Sequence, residues 1–149
     1  MLVLGDGEQR GSLEALSREL HVDDRVIFFG HVAQNKVQSI LAQTDVFLSL
    51  YDLSNIGNPL FEAMNAGVPV LTVDVGATGT VIRDGENGLL LSTWDLPEAV
   101  KRLGTLLDDG RLRKTIAANA AAYIEKNLLS WQARIAAELS VVGELLDRQ

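Results

Sequence analysis

The sequence predicts an α/β fold with a Rossmann-like, doubly wound and mostly parallel sheet, followed by C-terminal helices. Short apolar runs alternate with segments of helical periodicity from Met1 to Leu91. Their spacing leaves room for a helix between successive runs, as in βαβ units with right-handed crossovers. From Leu96 the pattern is helical to the end of the chain. The 149 residues are 47% hydrophobic, so we expect one domain, residues 1–149, with its own core.

Each predicted element has a local signal. Strands are indicated by apolar or β-branched runs that end in glycine or polar residues, at Met1–Leu4, Arg25–Gly30, Asp45–Leu50, Pro69–Asp74 and Gly88–Leu91. Helices are indicated by apolar stripes behind a capping residue: after an N-cap at Ser12, and at Asn35–Gln43, Asn58–Gly67, Leu96–Leu107, Leu112–Asn127 and Ser130–Asp147. Asn58 is the predicted N-cap of its helix, with Pro59 in the first turn and Gly67 as the stop. Ser130 is the predicted cap of the last helix, and Asp108–Arg111 a turn between helices.

Composition excludes several classes of protein. Cysteine is absent, which rules out disulfides and thiolate chemistry. The formal net charge of −7 disfavours a generic nucleic-acid or anionic-membrane binder. His21 and His31 lack metal-ligand spacing with neighbouring acids, so we expect no metal site. No signal peptide or membrane span is apparent, and we expect a soluble, cytoplasmic protein.

The stretch from Gly57 to Glu62 is the strongest candidate site. Ligands of open parallel sheets bind beyond the carboxyl ends of the strands, where this segment is predicted to lie. Gly57 lets the backbone approach a ligand, and Asn58 begins a helix whose free N–H groups favour an anion. Glu62, one turn later, suits the neutral hydroxyls of a ribose. An equally weighted alternative is a solvated Glu near the positive end of the helix dipole.

Two further glycine-rich loops follow predicted strands. The loop around Gly76, Thr78 and Gly79 could present backbone N–H groups to phosphate or sugar oxygens. "GDGEQRG" departs from the dinucleotide-binding fingerprint in glycine spacing and lacks its acid, so a structural turn is favoured there. "DGENG" is a turn by composition.

Motifs along nearly the whole chain resemble the C-terminal, nucleotide-sugar-binding domain of GT-B retaining glycosyltransferases, the group 1 set also called family four. The resemblance is carried by their order and spacing: "LVLGDGEQRGSLEALSREL", "DRVIFFGHV", "TDVFLSLYD", "FEAMNAGVPVLTVDVG" and "VIRDGENGLLL". The tail after Leu106 is similar to the closing helices of the family.

The resemblance implies a donor site. Two glutamates with seven residues between them mark the family, and the second, which holds the nucleotide ribose, matches Glu62. Ser54 occupies the position of the first glutamate, which in the family is expected to contact the donor sugar. Asp52, two residues upstream, could substitute for that glutamate. The expected ligand is a UDP- or GDP-sugar, a substrate that needs no separate cofactor.

The resemblance also implies missing parts. The family carries a Gly-Arg…Lys-Gly strand-loop before the first strand seen here, and an N-terminal acceptor-binding domain. We expect that this chain lacks the first βα unit and that the acceptor domain comes from elsewhere in the protein or from a separate chain. That domain could place the protein at the inner face of a membrane.

The sequence is compatible with three functions. The first is the donor-binding domain of a retaining glycosyltransferase (hexosyltransferase type), inactive in isolation. The second is a degenerate, non-catalytic nucleotide-sugar-binding or assembly partner, which the Ser54 departure and Thr80, where many members have glutamate, favour. The third, weaker because of "FEAMNAGVPV", is a nucleotide-sugar epimerase-like domain. An unpaired first strand would also favour a homo-oligomer.

Overall fold

The structure, a computed structural model, describes residues 1–51, 56–92, 94–128 and 131–146. The strands are β1 (Leu2–Leu4), β2 (Ile27–Gly30), β3 (Phe47–Ser49), β4 (Val70–Val73) and β5 (Leu89–Leu91). The helices are α1 (Arg10–Glu19), α2 (Gln34–Leu41), α3 (Asn58–Asn65), α4 (Thr78–Val81), α5 (Leu96–Asp108), α6 (Gly110–Asn127) and α7 (Trp131–Leu146). The chain forms two compact units, Met1–Gln43 and Thr44–Gln149.

In the first unit, β1 and β2 pair in parallel, with α1 as the connection between them. Arg10 at the start of α1 donates hydrogen bonds to Asp6 (3.0 Å), to Glu14 (2.8 Å) and to the carbonyl of Phe28 on β2 (3.2 Å). Gly30 has φ +67°, and a Cβ there would lie 2.7 Å from Arg10 Nη1. Glycine therefore meets both a backbone requirement and a close approach at the end of β2.

In the second unit, β3, β4 and β5 form a parallel sheet with β4 in the centre. All four residues of β4 are buried, as expected for a central parallel strand. The core of the second unit includes Leu71 and Val73 of β4, Leu89 and Leu91 of β5, Leu106 of α5 and Ile116 of α6. All three strand pairings in the described chain are parallel, which confirms the predicted α/β class, although the strands lie in two sheets, one in each unit.

Several predicted boundaries were wrong. The helix for which Ser12 was the predicted N-cap begins earlier, at Arg10, and its N-cap is Gln9. The N-cap of α3 is Gly57, and Asn58 is the first residue inside the helix. A single residue, Asp109, separates α5 from α6, and its side chain caps α6 by accepting hydrogen bonds from Arg111 N and Leu112 N (2.9 Å each). The predicted cap at Ser130 lies outside the described residues.

Candidate functional site

A small cavity lies at the carboxyl ends of β3 and β4, within the second unit. It is bordered by the ends of these two strands, by the beginning of α3 and by α4, through Ser49, Tyr51, Ile56, Gly57, Pro59, Leu60, Thr72, Val75 and Thr78. Its position agrees with the general rule for ligand sites in parallel sheets. The volume is about 30 Å³, which is room for one or two water molecules. The cavity could therefore take only a small group.

Two buried hydroxyls fix the polar character of the cavity. Thr72 is 4% exposed, and its Oγ1 donates to the carbonyl of Ser49 at 2.8 Å. Thr78 is 2% exposed, and its Oγ1 donates to the carbonyl of Val75 at 2.8 Å. Because each hydroxyl proton is used within the protein, neither hydroxyl can donate to a ligand without losing its internal hydrogen bond.

The start of α3 forms another side of the cavity. Gly57 is extended (φ −70°, ψ 155°) and, as a glycine, has no side chain with which to cap the helix. The positive end of the α3 dipole therefore lies beside the cavity, which favours an electronegative group there. The preceding residue, Ile56, has φ +43°, an unusual conformation for a β-branched side chain.

The predicted site residues are only partly brought together. Gly57 and Thr78 line the cavity. Asn58 is exposed at the first position of α3, and Glu62 is half-buried one turn later, away from the buried positions Leu60 and Met64 of the same helix.

The predicted glycine loop is in part a short helix. Gly76 has φ +59° and precedes α4, so the predicted loop around Gly76, Thr78 and Gly79 was wrong from Thr78 onward. Gly79 lies in α4, where a Cβ would approach Asp74 Oδ1 to 2.7 Å. Asp52 and Ser54 lie outside the described residues, so their predicted contact with a donor sugar stays a prediction.

Sequence reasoning missed Ser49, Tyr51 and Thr72. The available signal was polarity at strand ends: "FLS" and "VLTV" each place one hydroxyl residue in an apolar run. Ser49 and Thr72 are paired neighbours in the β3–β4 register, so parallel pairing brings the two positions side by side.

Comparison with known proteins decides the family. The model of the family described as "Glycosyl transferases group 1" matches residues 1–123. The chain belongs to the group 1 glycosyltransferases.

Similar proteins bear this out. The N-acetyl-alpha-D-glucosaminyl L-malate synthase of Bacillus anthracis is 33% identical over 130 residues, which cover 87% of this chain and 34% of that protein. The solved C-terminal domain of the group 1 protein LpcC from Francisella tularensis is 27% identical with a TM-score of 0.71, covering 79% of this chain and 61% of that one. WaaG, a glycosyltransferase involved in lipopolysaccharide biosynthesis, is 29% identical with a TM-score of 0.79, covering 93% of this chain and 37% of that one. This chain spans about a third of the length of the curated relatives that it matches.

Two negative findings concern the described residues of this group 1 domain. They contain no group of three or more His, Asp or Glu side chains arranged to hold a metal ion. No helix among them is both long enough and apolar enough to cross a membrane.

A second, wider groove on the group 1 domain contains a charged cluster. Arg102 of α5 donates to Asp84 Oδ1 at 2.5 Å and to Glu98 Oε1 at 2.9 Å. Burial raises the pKa of the Asp84 carboxyl, but hydrogen bonds from Arg102 and from Leu90 N outweigh it, so the pKa lies below its ordinary value. The hydrogen bond from Arg102 likewise lowers the pKa of Glu98. These groups satisfy one another and tie the turn before β5 to α5.

The cluster predicts an acid-sensitive contribution to stability. Because the pKa of Asp84 is lower in the folded state, its contribution is present above the unfolded-state pKa of about 3.9 and is lost as the pH falls through the folded-state value. We expect Asp84→Asn to be less stable than the wild type at pH 7, with a difference that shrinks below about pH 4. Urea unfolding at a series of pH values measures this difference, and Asp108→Asn is a charge-matched control. A difference that stays constant across the acid range would contradict the assignment.

Proposed function

We propose that this chain is the donor-binding part of a retaining glycosyltransferase, one that takes a UDP- or GDP-sugar. The observation that carries the proposal is the placement of Gly57 and the start of α3 beside a cavity at the carboxyl ends of β3 and β4, with Glu62 one turn further along. A diphosphate beside the helix start would benefit from the dipole of α3. The ribose would then lie near Glu62.

Each candidate residue has a proposed task. Glu62 accepts hydrogen bonds from the ribose hydroxyls, as a carboxylate can. The backbone at Gly57 and Asn58 approaches the phosphate or sugar oxygens. Gly76, Thr78 and Gly79 border the donor sugar, and Asp52 or Ser54 contacts it from residues 52–55.

We propose that this part does not act alone, and the arrangement of its charges supports this. In sugar transfer the leaving diphosphate accumulates negative charge in the transition state, and cations stabilise it. Arg10 is engaged with Asp6 and Glu14, and Arg83 lies 3.5 Å from Glu86. We therefore propose that the neutralising cations come from polypeptide outside residues 1–149. That polypeptide would include a first βα unit and an acceptor-binding domain, and the assembled enzyme would act in the cytoplasm or at the inner face of a membrane.

A non-catalytic binding partner is the second candidate. Ser54 and Thr80, in places where the family has glutamate, favour it. The two candidates differ in what happens once an acceptor domain is supplied. A transferase then turns over its donor sugar, whereas a binding partner holds the nucleotide without release of nucleoside diphosphate.

Substitution of Glu62 tests the donor site. We expect Glu62→Gln and Glu62→Ala to weaken binding of UDP or GDP by about 10- to 100-fold, since hydrogen bonds to a charged group contribute about 1.5–3 kcal/mol. Isothermal titration calorimetry measures the affinities. Glu125→Ala, at an exposed position of α6, removes the same charge away from the site and should bind like the wild type. Equal affinity in the Glu62 variants and the wild type would refute the assignment.

A further inference from the structure

The turn between α4 and β5, residues 82–88, contains the one Asn-Gly dipeptide of the sequence, Asn87–Gly88. Asparagine is most prone to deamidation when glycine follows it. Glycine has no side chain to hinder attack of its own backbone nitrogen on the asparagine amide, and its backbone is easily moved. The product of that attack is a cyclic imide. Asn87 therefore has a covalent chemistry of its own, in addition to its hydrogen bonds.

The folded turn holds the side-chain amide of Asn87 at both ends. Its Oδ1 accepts from Arg83 N at 2.7 Å, and its Nδ2 donates to the carbonyl of Val81 at 3.0 Å. Asn87 is 2% exposed, so water has little access to it. Attack on Cγ makes that carbon tetrahedral and displaces both Oδ1 and Nδ2. The reaction therefore has to disturb both hydrogen bonds.

The backbone of Gly88 is held as well. Its carbonyl accepts from Gly85 N at 2.9 Å. A Cβ at Gly88 would lie 2.8 Å from Cγ2 of Ile82 and 3.4 Å from the carbonyl oxygen of Val70, so the glycine is enclosed on that side. Closure of an imide ring requires the backbone at Gly88 to shift towards the preceding side chain, and these contacts oppose the shift.

We propose that Asn87–Gly88 is a latent deamidation site, closed in the folded turn and reactive when the turn opens. In the open turn, Gly88 N gives its proton to a solvent base and forms a bond to Cγ of Asn87. The Cγ–Nδ2 bond breaks, and Nδ2 takes a proton from solvent and leaves as ammonia. Water then adds to one of the two imide carbonyls and opens the ring to aspartate or isoaspartate. The net reaction consumes water and releases ammonia, without a change of oxidation state.

The product prevents the turn from closing again. Aspartate lacks the donor that Nδ2 supplies to the carbonyl of Val81. Isoaspartate continues the chain through its side-chain carbonyl, which adds a methylene group to the backbone and moves Gly88 out of its enclosed position. A transient opening between α4 and β5 thus becomes permanent. The proposal does not depend on nucleotide binding.

Comparison of the folded chain with an open reference tests the proposal. The chain 1–149 and a synthetic peptide of residues 83–92 are incubated together near neutral pH, and deamidation at Asn87 is followed by peptide mass spectrometry. We expect the folded chain to react at least about tenfold more slowly than the peptide, since only its opened fraction reacts. In guanidinium chloride, above the unfolding transition, the two rates should agree. A folded chain that reacts as fast as the peptide would overturn the proposal, and a faster reaction would show that Arg83 N assists the attack in the closed turn.

A variant that loosens the turn tests the same point without denaturant. Asp84 accepts from Leu90 N at 2.9 Å and from Arg102, so Asp84→Ala removes contacts that hold the turn but leaves the dipeptide intact. We expect deamidation at Asn87 to become about threefold faster or more, the effect of about one lost hydrogen bond. Asp108→Ala, at an exposed position of α5, should react like the wild type. Equal rates in Asp84→Ala and the wild type would contradict control by the turn.

The stability of the deamidated product tests whether the opening becomes permanent. The deamidated fraction is separated from the unmodified chain of the same incubation, and both are unfolded in guanidinium chloride. We expect the deamidated fraction to unfold at a lower denaturant concentration, because it has lost the bond to Val81. Coincident unfolding curves would show that the product closes the turn again, and would overturn this part of the proposal.

Discussion

Replacement of Leu106 by alanine will lower the free energy of unfolding by about 2–5 kcal/mol, the usual cost of such a truncation in a core. Leu106 is 0% exposed and belongs to the cluster that joins α5 and α6 to the sheet, together with Leu71 and Ile116. The truncation removes buried methyl groups and leaves a cavity that neighbours on two helices and a sheet can fill only partly. Since domains of this size are stable by about 5–15 kcal/mol, the loss is a large fraction of the total.

The next residue along α5 is a matched control. Leu107 is 50% exposed, so Leu107→Ala removes the same atoms with little change in buried surface and should cost less than about 1 kcal/mol. Urea unfolding followed by circular dichroism compares the two variants. Similar losses for both would show that the α5–α6 packing described above does not hold the second unit together.

The order of strands and helices could be predicted because buried strands and amphipathic helices leave different periods in a sequence. β4 is an example. Its buried residues lie between Pro69 and Asp74, and this stretch contains no helical period or turn signal that would indicate another structure. The ends of helices were harder to predict. Asn58 is a good capping residue beside a proline, yet the N-cap is Gly57. Pro59 is compatible with either start, because the N–H groups of the first helical positions have no partner within the helix.

The candidate site was predictable in its location but not in its lining. Gly57 and Thr78 were predicted because ligands of parallel sheets bind beyond the carboxyl ends of the strands, and both residues line the cavity. Ser49 and Thr72 belong to the strands themselves, where a hydroxyl residue is compatible with any half-buried position. Their importance depends on the β3–β4 register, and register is a pairing between distant segments that no local pattern contains.

The short helix α4 shows the opposite limit. Four residues, Thr78–Val81, form one turn, too few for a periodic signal, and Gly76 and Gly79 indicated a loop by composition. The turn forms because local hydrogen bonds close it: Ile82 N donates to the carbonyl of Thr78 at 2.9 Å, and Thr80 Oγ1 donates to that of Ala77 at 2.7 Å. Such hydrogen bonds exist only in the folded backbone, so no pattern in the sequence indicates them.

Replacement of Asn87 by alanine is expected to cost about 2–4 kcal/mol, because it leaves two backbone groups without partners. Asn87 is 2% exposed and lies in the predicted "DGENG" turn, which the structure confirms as a turn. Its Oδ1 accepts from Arg83 N at 2.7 Å, and its Nδ2 donates to the buried carbonyl of Val81 at 3.0 Å. One side chain therefore joins the end of α4 to the start of β5.

Asn119 gives the control for this second prediction. Its Nδ2 also donates to a carbonyl of the same turn, that of Glu86 at 2.9 Å, but the bond is exposed. Water replaces an exposed donor, so Asn119→Ala should cost less than about 1 kcal/mol in the same urea experiment. Equal costs for the two alanine variants would contradict the role of burial.

Asn87→Asp distinguishes the two hydrogen bonds of this side chain. The ionised carboxylate still accepts from Arg83 N but faces the carbonyl oxygen of Val81, which it repels. When protonated, the carboxyl can donate to that oxygen as the amide does. Burial and the missing donor both favour the neutral form, so the folded-state pKa is raised and the stability lost at pH 7 returns as the pH falls below it. A loss that does not diminish towards acid pH would contradict the role of the bond to Val81. Little loss at any pH would place the essential contact at Arg83 N alone, because the carboxylate keeps that bond, and the turn would then depend on one bond instead of two.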